Sequence, residues 1–398
     1  MNVLYIHTNE ERDKEIFVAF AGTDSVISEY TAPRPEEANE SYAPGLLKAM
    51  EESGADVVFA TGYFPIVSIA CEAMKKKYIA YCQRPYNPSL YSCTLVNEAN
   101  VVFVPDYTVY ENFNREGFTN VLFMPLGVAE EAIAADVTEE DSEGEEGIDL
   151  TITQNVATRD SLPFNLLAAA SPLKDSTKGY LEGCIACRHQ IRGLPSMYQY
   201  LPPYIKEDIG ANIKMDLASD SVETAASYFD NRSFNDLVTV ADRDIHFGTL
   251  FKNDHFRKIR IYGNYSGYVD KTSDEEDRKW DISSSPSLAR GPEFASAVRK
   301  SKINLIIPHR NWISGISGRT FDTFAAGGFV MSPVMGDIAG LFETMKEALY
   351  VDEFNMASRS VYYKNHPTER VEIVNSILSE LRANHTYLCR IEGMFANI

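Results

Sequence analysis

No stretch of this sequence stays apolar for the roughly 18 residues that a membrane-spanning helix needs. An integral membrane segment is therefore not expected, and without a signal-peptide pattern the expected compartment is the cytoplasm. Positive charge is scarce: 37 Lys and Arg stand against 57 Asp and Glu, a net charge of −20. Such a surface repels nucleic-acid phosphates and anionic bilayers, so neither is an expected partner, although plain solubility explains the acidity equally well. Cysteine is sparse, with six in all. Cys184 and Cys187 form the single C-x-x-C pair, and no second pair completes a zinc site. His189 follows two residues on, not one as haem attachment requires. The cysteines read as thiols of a reducing compartment, and no metal or cofactor is expected. The first strand is not followed by Gly-x-Gly: Val3 to Ile6 leads straight into His7-Thr8-Asn9-Glu10, which excludes the usual dinucleotide fingerprint.

What is present is a globular composition, 44% hydrophobic and 11% aromatic, long enough for two or three domains with real cores. Short apolar runs at 3–6, 26–30, 57–60, 78–82, 101–104 and 121–124 alternate with helical segments. That alternation predicts a parallel doubly wound sheet over residues 1–130. Residues 131–148 carry six acids between Glu139 and Glu146 and read as a solvated linker or loop. A second strand–helix unit is expected over 149–385, with a helical insertion at 163–254 and strands at 150–153, 258–262, 303–307, 329–332 and 348–351. In that insertion, 174–192 and 219–237 read as helices. The fold class is α/β, two facing Rossmann-like domains with a cleft between them.

The most informative stretch is Ile303 to Gly340. Ile303-Asn304-Leu305-Ile306-Ile307 is a buried strand stopped by Pro308. A Gly/Ser-rich turn follows. Ser317 is a good N-cap, and Phe321, Phe324 and Ala325 give the next helix one apolar face. Gly327-Gly328 closes it. Free N–H groups at such a helix start hold negative oxygens, and Arg319 adds a planar positive fork. Asp322, one turn on, could accept both hydroxyls of a ribose. Equally, Arg319 and Asp322 could be an ordinary helix-surface ion pair worth about 0.2–0.5 kcal/mol.

Gly315-Ile316-Ser317-Gly318-Arg319-Thr320-Phe321-Asp322, with Gly327-Gly328-Phe329, resembles the nucleotide-sugar helix of GT-B glycosyltransferases, and within them the CgeB-like, spore-maturation-type family. Ser89 to Thr94 with Asn97 to Asp106, and His385-Thr386-Tyr387 with Arg390, are similar to the same family. The resemblance implies GT-B architecture, with residues 386–398 as a last helix crossing back to the first domain. It implies metal-independent transfer of a sugar from a nucleotide-diphosphate sugar, UDP-linked, to a protein or glycan acceptor.

On that reading Gly315, Ser317, Gly318 and Arg319 meet the diphosphate and Asp322 the ribose. His309 and Arg310 assist from the end of the preceding strand. Asn155 and Gly263 line the donor side, and Trp312 either lines the cleft or packs. A catalytic base is expected from loops at strand ends of the first domain: His7, Glu10, Tyr63, Gln83, Arg84 or Asp106, with Asp106 and His7 put forward. Asp106 has a competing role as N-cap of the helix from Tyr107. Asp242-Arg243-Asp244 spells Asp-x-Asp but reads as helix capping. Two positions depart from the family pattern. Gln83 stands where related N-terminal domains carry Asp, and Ser314 where many retaining enzymes carry the first of two acids. The departures leave open a degenerate structural or binding module of a spore or cell-surface layer. A nucleotide-sugar epimerase is the other alternative.

Overall fold

The computed structural model describes the chain apart from residues 9, 32–41, 144–146, 156–172, 192–195, 252–254, 264–280, 343–348 and 353. The first sheet holds β1 (Asn2–His7), β2 (Val26–Thr31), β3 (Val57–Ala60), β4 (Lys77–Tyr81), β5 (Asn100–Val104) and β6 (Val121–Phe123). Their order is β2-β1-β3-β4-β5-β6, and every pairing is parallel. β3 and β5 are buried along their whole length, as parallel strands covered on both faces must be. The second sheet holds β7 (Ile148–Ile152), β8 (Lys258–Tyr262), β9 (Asp281–Ser285), β10 (Ser301–Leu305) and β11 (Val330–Met331), again all parallel, in the order β11-β10-β7-β8-β9. Strand order reverses between β1 and β3 in one sheet and between β7 and β10 in the other. Open α/β sheets form their ligand crevices beyond the carboxyl ends of strands at such points.

Sequence patterning missed β9, because Asp-Ile-Ser-Ser-Ser on a sheet edge carries no apolar alternation. The strand expected at 348–351 is a single bridge, Tyr350 with Ser332. The acidic run is not all loop. Glu139–Glu143 is a short helix, started by Thr138 Oγ1 accepting from Asp141 N at 3.2 Å while the Asp141 carboxylate accepts from Thr138 N at 2.9 Å.

Helices between β7 and β8 form the insertion: Asp175–His189, Pro203–Asn212 and a long segment starting at Ala225. The part of the expected insertion at 163–172 lies outside the described residues. The long segment contains a π-helical turn, Asp230–Phe234, and then runs as α-helix from Asn235 to Phe251. The helix expected to end at Leu237 therefore continues, since no proline interrupts Asn235–Phe251 and Val238, Phe247 and Leu250 keep one side buried. The insertion has its own core of Leu181, Ile185, Ile205, Phe229 and Phe234.

The last helix, Tyr387–Phe395, packs on the first domain. Thr386 bridges Val128, and Arg390 donates twice to the Leu126 carbonyl, at 3.2 and 3.1 Å. Phe395 meets Phe20 with ring centroids 5.9 Å apart. One continuous apolar cluster thus joins Tyr5 and Phe20 of the first domain, Ile303 and Phe321 of the second, and Tyr387 and Met394 of the crossing helix. Among the described residues no helix is long and apolar enough to cross a membrane.

His385 is sealed into this junction. Burial, with Arg390 beside it, pushes its pKa down to about 4. Unfolded, the same ring titrates near 6.5. Neutral His385 therefore favours the fold above that value, and its contribution, at most about 3 kcal/mol, is lost as pH falls from about 6.5 toward 4. An NMR titration is expected to find the ring neutral at pH 5.5. A midpoint at 6 or above would contradict this burial.

Candidate functional site

The carboxyl ends of the two sheets face each other across a cleft with a cavity of about 270 Å³. From the first domain come Glu10, Glu11 and Arg12, after β1, and Gln83 and Arg84, after β4. From the second come Gln154, after β7, Arg243 of the insertion, and Pro308, His309, Trp312, Ser317, Gly318, Arg319 and Asp322. Gln154 holds the crevice between β7 and β10 in shape, its Oε1 accepting from Ile307 N at 2.8 Å. Among the described residues, four arginines against three carboxylates line this cavity, in a chain whose overall charge is −20. Local positive excess on so acidic a protein suits an anionic ligand.

The helix Gly318–Ala325 points its amino end into the cleft. Ser317 caps it, its Oγ accepting from Thr320 N at 3.3 Å. The N–H groups of Gly318 and Arg319 meet no acceptor among the described residues. They are the orphan donors that an anion can take up. Gly318 is required here because a Cβ would run into the Arg12 guanidinium, which lies across the helix tip.

Arg12 is the side chain that sequence reading missed most plainly. It is buried, donating to Asp322 Oδ2 at 2.8 Å and to Tyr387 Oη at 3.0 Å. Burial works against its charge, but Asp322 and Tyr387 outweigh burial and raise its pKa. Arg290 takes the other oxygen of Asp322 at 3.0 Å and also Glu15 at 2.8 Å. Asp322 thus ties together a first-domain and a second-domain arginine. Neither arginine lies in a recognisable motif, and only the tertiary fold brings them to Asp322.

Arg243 is the second omission. Its guanidinium donates to the carbonyls of Ile307, at 3.4 Å, and Asn155, at 3.1 Å. No carboxylate lies within ion-pair distance of it among the described residues. Burial pushes its pKa down to about 10, against the pull of Asp242, so it stays charged at neutral pH. A cleft cation held only by carbonyls has donors and charge to offer a phosphate.

Residues 245–396 match the family model described as glycosyl transferase-like. Anabaena Alr3699/HepE, solved in complex with UDP-glucose, superposes over 99% of this chain and 98% of its own, at 8% identity and a TM-score of 0.50. A glycosyltransferase from Rickettsia africae ESF-5 aligns over 99% and 97%, at 12% identity and a TM-score of 0.46. No curated protein matches the sequence. The chain has the GT-B fold.

In this GT-B cleft the expected site residues separate into two groups. Ser317, Gly318, Arg319, Asp322 and His309 all line it. The Arg319 side chain, however, lies over the Phe294 ring at 4.7 Å and donates to the Leu288 carbonyl at 3.3 Å. Burial lowers its pKa, with Asp322 opposing. Its backbone N–H, more than its guanidinium, faces an incoming anion. His309 is held between Asp236, at 2.7 Å, and the Asn311 N–H.

Asp106, Gly315, Arg310 and His7 do other work. Asp106 is wholly buried and caps the helix Tyr107–Arg115 through Val109 N at 3.1 Å. Its other oxygen accepts from the N–H groups of Ile313, Ser314 and Gly315 at 2.7, 3.0 and 2.8 Å. A first-domain carboxylate therefore fills the small anion-binding nest of the second domain, and Gly315 N–H is not available to a diphosphate. Arg310 pairs with Asp242 in the interior, so neither residue faces the donor side. Asp242 lies mid-helix, not at a helix start, so the capping role expected of it is also wrong. His7 bridges Asp13 at 3.1 Å and Glu29 at 2.9 Å, outside the cleft lining, and is not placed to act as a base there. Asn155 offers its carbonyl to Arg243. Gly263 packs so closely on the backbone of residues 154–155 that a Cβ would sit 2.6 Å from Gln154 O, which makes its role steric.

Proposed function

We propose that the protein transfers a sugar from a nucleotide-diphosphate sugar, UDP-linked, to a protein or glycan acceptor. The observation that carries this reading is the capped helix start at Gly318 and Arg319, its N–H groups open to an arginine-lined interdomain cleft. Helix N–H groups and Arg243 would hold the departing diphosphate and neutralise the charge that builds on it, the task a metal performs in other transferases. Asp322 keeps lone pairs beyond the two that its arginines use, enough to accept a ribose hydroxyl. The match of residues 245–396 to the glycosyl transferase-like family supports the reading, as does the shared fold of HepE, which was solved with UDP-glucose. The motif similarity around Gly315 to Asp322 is what favours the CgeB-like branch.

Glu11 is the proposed acceptor of the incoming hydroxyl's proton. Of the cleft carboxylates, Asp322 is held by two arginines and Glu10 lies 3.6 Å from Arg84. Glu11 makes no hydrogen bond or ion pair among the described residues, though it feels the Arg319 charge across the cleft. A positioned carboxylate contributes about 10²–10⁴-fold as general base. Glu11→Gln is therefore expected to reduce turnover of a UDP-sugar at least 100-fold, on the order of that range, with UDP affinity unchanged. Titration calorimetry with UDP, GDP and dTDP, followed by donor hydrolysis assays on whichever binds, tests the proposal. Absence of binding by all three nucleotides would leave a degenerate module as the better account.

Arg243→Ala is expected to weaken UDP binding by about 1.5–3 kcal/mol, the scale of a charge-assisted hydrogen bond. Arg319→Ala should cost less, because that guanidinium is already engaged with Phe294 and Leu288. The same calorimetry ranks the two. Equal affinity of Arg243→Ala and the unaltered protein would remove Arg243 from the site.

A further inference from the structure

A second cavity, of about 500 Å³, lies between the first domain and the helical insertion. That size is typical of a small-molecule site, and domain interfaces are where such sites concentrate. One wall is a run of aromatic rings. Tyr86 meets Tyr91 at 6.0 Å between centroids, Tyr91 meets Phe113 at 5.9 Å, and Phe113 meets Phe118 at 5.8 Å. Amide side chains border the rings: Asn112, from the helix that carries Phe113, offers a donor and an acceptor, while Gln199 and Asn231, whose amide nitrogens already donate to Ser196 O at 3.4 Å and Ser227 O at 3.0 Å, offer their carbonyl oxygens. Of the charged groups of the lining, Arg115 and Asp230 are engaged, while the Glu116 carboxylate makes no hydrogen bond or ion pair among the described residues. Arg115 pairs with Glu111 at 3.0 Å, and Asp230 accepts from Ser196 Oγ and from the N–H groups of Met197 and Tyr198. The Tyr86 hydroxyl donates to Glu223 at 2.8 Å and accepts from Arg232 at 2.7 Å, which fixes the ring and leaves its pKa raised by burial.

The two walls are pinned to each other. Ser92 and Ser221 form a β-bridge, Val222 N donates to Tyr91 O at 2.6 Å, and Cys93 N donates to Asp220 O at 2.9 Å. The π-helical turn Asp230–Phe234 sits at the cavity, where such turns often serve ligands. The chamber borders the nucleotide cleft. Residues 83 and 84 line the cleft and 85 and 86 the chamber, while 309 and 312 line the cleft and 311 and 313 the chamber.

From ring faces and the amide groups still open to hydrogen bonds, we infer that this chamber binds a neutral saccharide, which serves as the acceptor. A sugar ring has an apolar face to lie on tyrosine and hydroxyls that need both donors and acceptors, the Glu116 carboxylate among the latter, while an anionic ligand would meet no unpaired cation in the described lining. The acceptor role rests on the transfer reading above; occupancy by a saccharide does not.

The test is a printed array of neutral mono-, di- and trisaccharides, probed with the full chain, Ala226→Trp and Asn112→Ala, with p-nitrophenol as a competing aromatic and UDP affinity measured on each protein. Ala226 lines the chamber from the insertion, so a tryptophan there fills it without removing a contact. The expected result is retention of at least one saccharide by the unaltered chain, weakened at least tenfold in both variants, with UDP affinity unchanged. No retained saccharide, retention indifferent to Ala226→Trp, or binding of p-nitrophenol alone would overturn the inference. Saccharide retention without UDP binding would uphold the chamber and defeat the donor reading instead.

Discussion

Asp106→Ala is expected to destabilise the protein by about 3–5 kcal/mol, the cost of breaking a buried charged network from one side. Four backbone N–H groups, those of Val109, Ile313, Ser314 and Gly315, and the Ser314 hydroxyl converge on this one carboxylate. Removing it leaves those donors in a site that excludes water, each a desolvation cost of about 1–3 kcal/mol before relaxation. The loss is also one of geometry. Asp106 belongs to the first domain and the loop at 313–315 to the second, and that loop leads directly into the cleft helix at Gly318. Asp337 completes the junction by accepting from Tyr107 N at 3.1 Å, its own pKa pushed up to about 6 by burial. Urea unfolding measures the stability change, and calorimetry with UDP on the folded fraction is expected to show weakened binding. An Asp106→Ala protein with unchanged stability would mean the nest is satisfied without it.

Asp322→Ala is expected to have an effect of similar size for a different reason. Arg12 and Arg290 approach the same carboxylate from opposite domains, and all three side chains are largely buried. Deleting the acid leaves two guanidinium groups facing each other with reduced access to water, a loss of about 3–5 kcal/mol. Asp322→Asn, which keeps the shape but not the charge, should fall between the two. Should Asp322→Ala fold with full stability and merely lose UDP affinity, the carboxylate would be a ligand group only. The expected outcome is loss of both.

Much of the fold was legible in the sequence because parallel strands buried on both faces announce themselves as short apolar runs. Val101 to Val104 is such a run and lies in strand Asn100–Val104, and Ile303 to Ile307 marks a second strand, although that one runs from Ser301 to Leu305 and leaves Ile306 and Ile307 in the loop. Caps were legible as well, since Ser317 and Asp106 precede their helices with an oxygen at the right spacing. Polar edge strands were not, as Asp281–Ser285 shows. The interdomain ion pairs were not legible either. Arg12 and Asp322 are 310 positions apart, and nothing local marks Arg12 as buried. The reading of Gly315 as a diphosphate ligand failed on the same ground, because the carboxylate that occupies its N–H comes from the other domain. Local pattern gave the nest and the helix tip, but only tertiary structure tells which of them is already filled.

The amino end of the helix at Gly318 is where a diphosphate is expected to sit. A crystal grown with UDP measures this most directly. The expected density places phosphate oxygens within hydrogen-bond distance of the Gly318 and Arg319 N–H groups, with Arg243 turned onto the same phosphates. UDP bound elsewhere on the molecule, with the Gly318 tip met only by Arg12 and water, would contradict it.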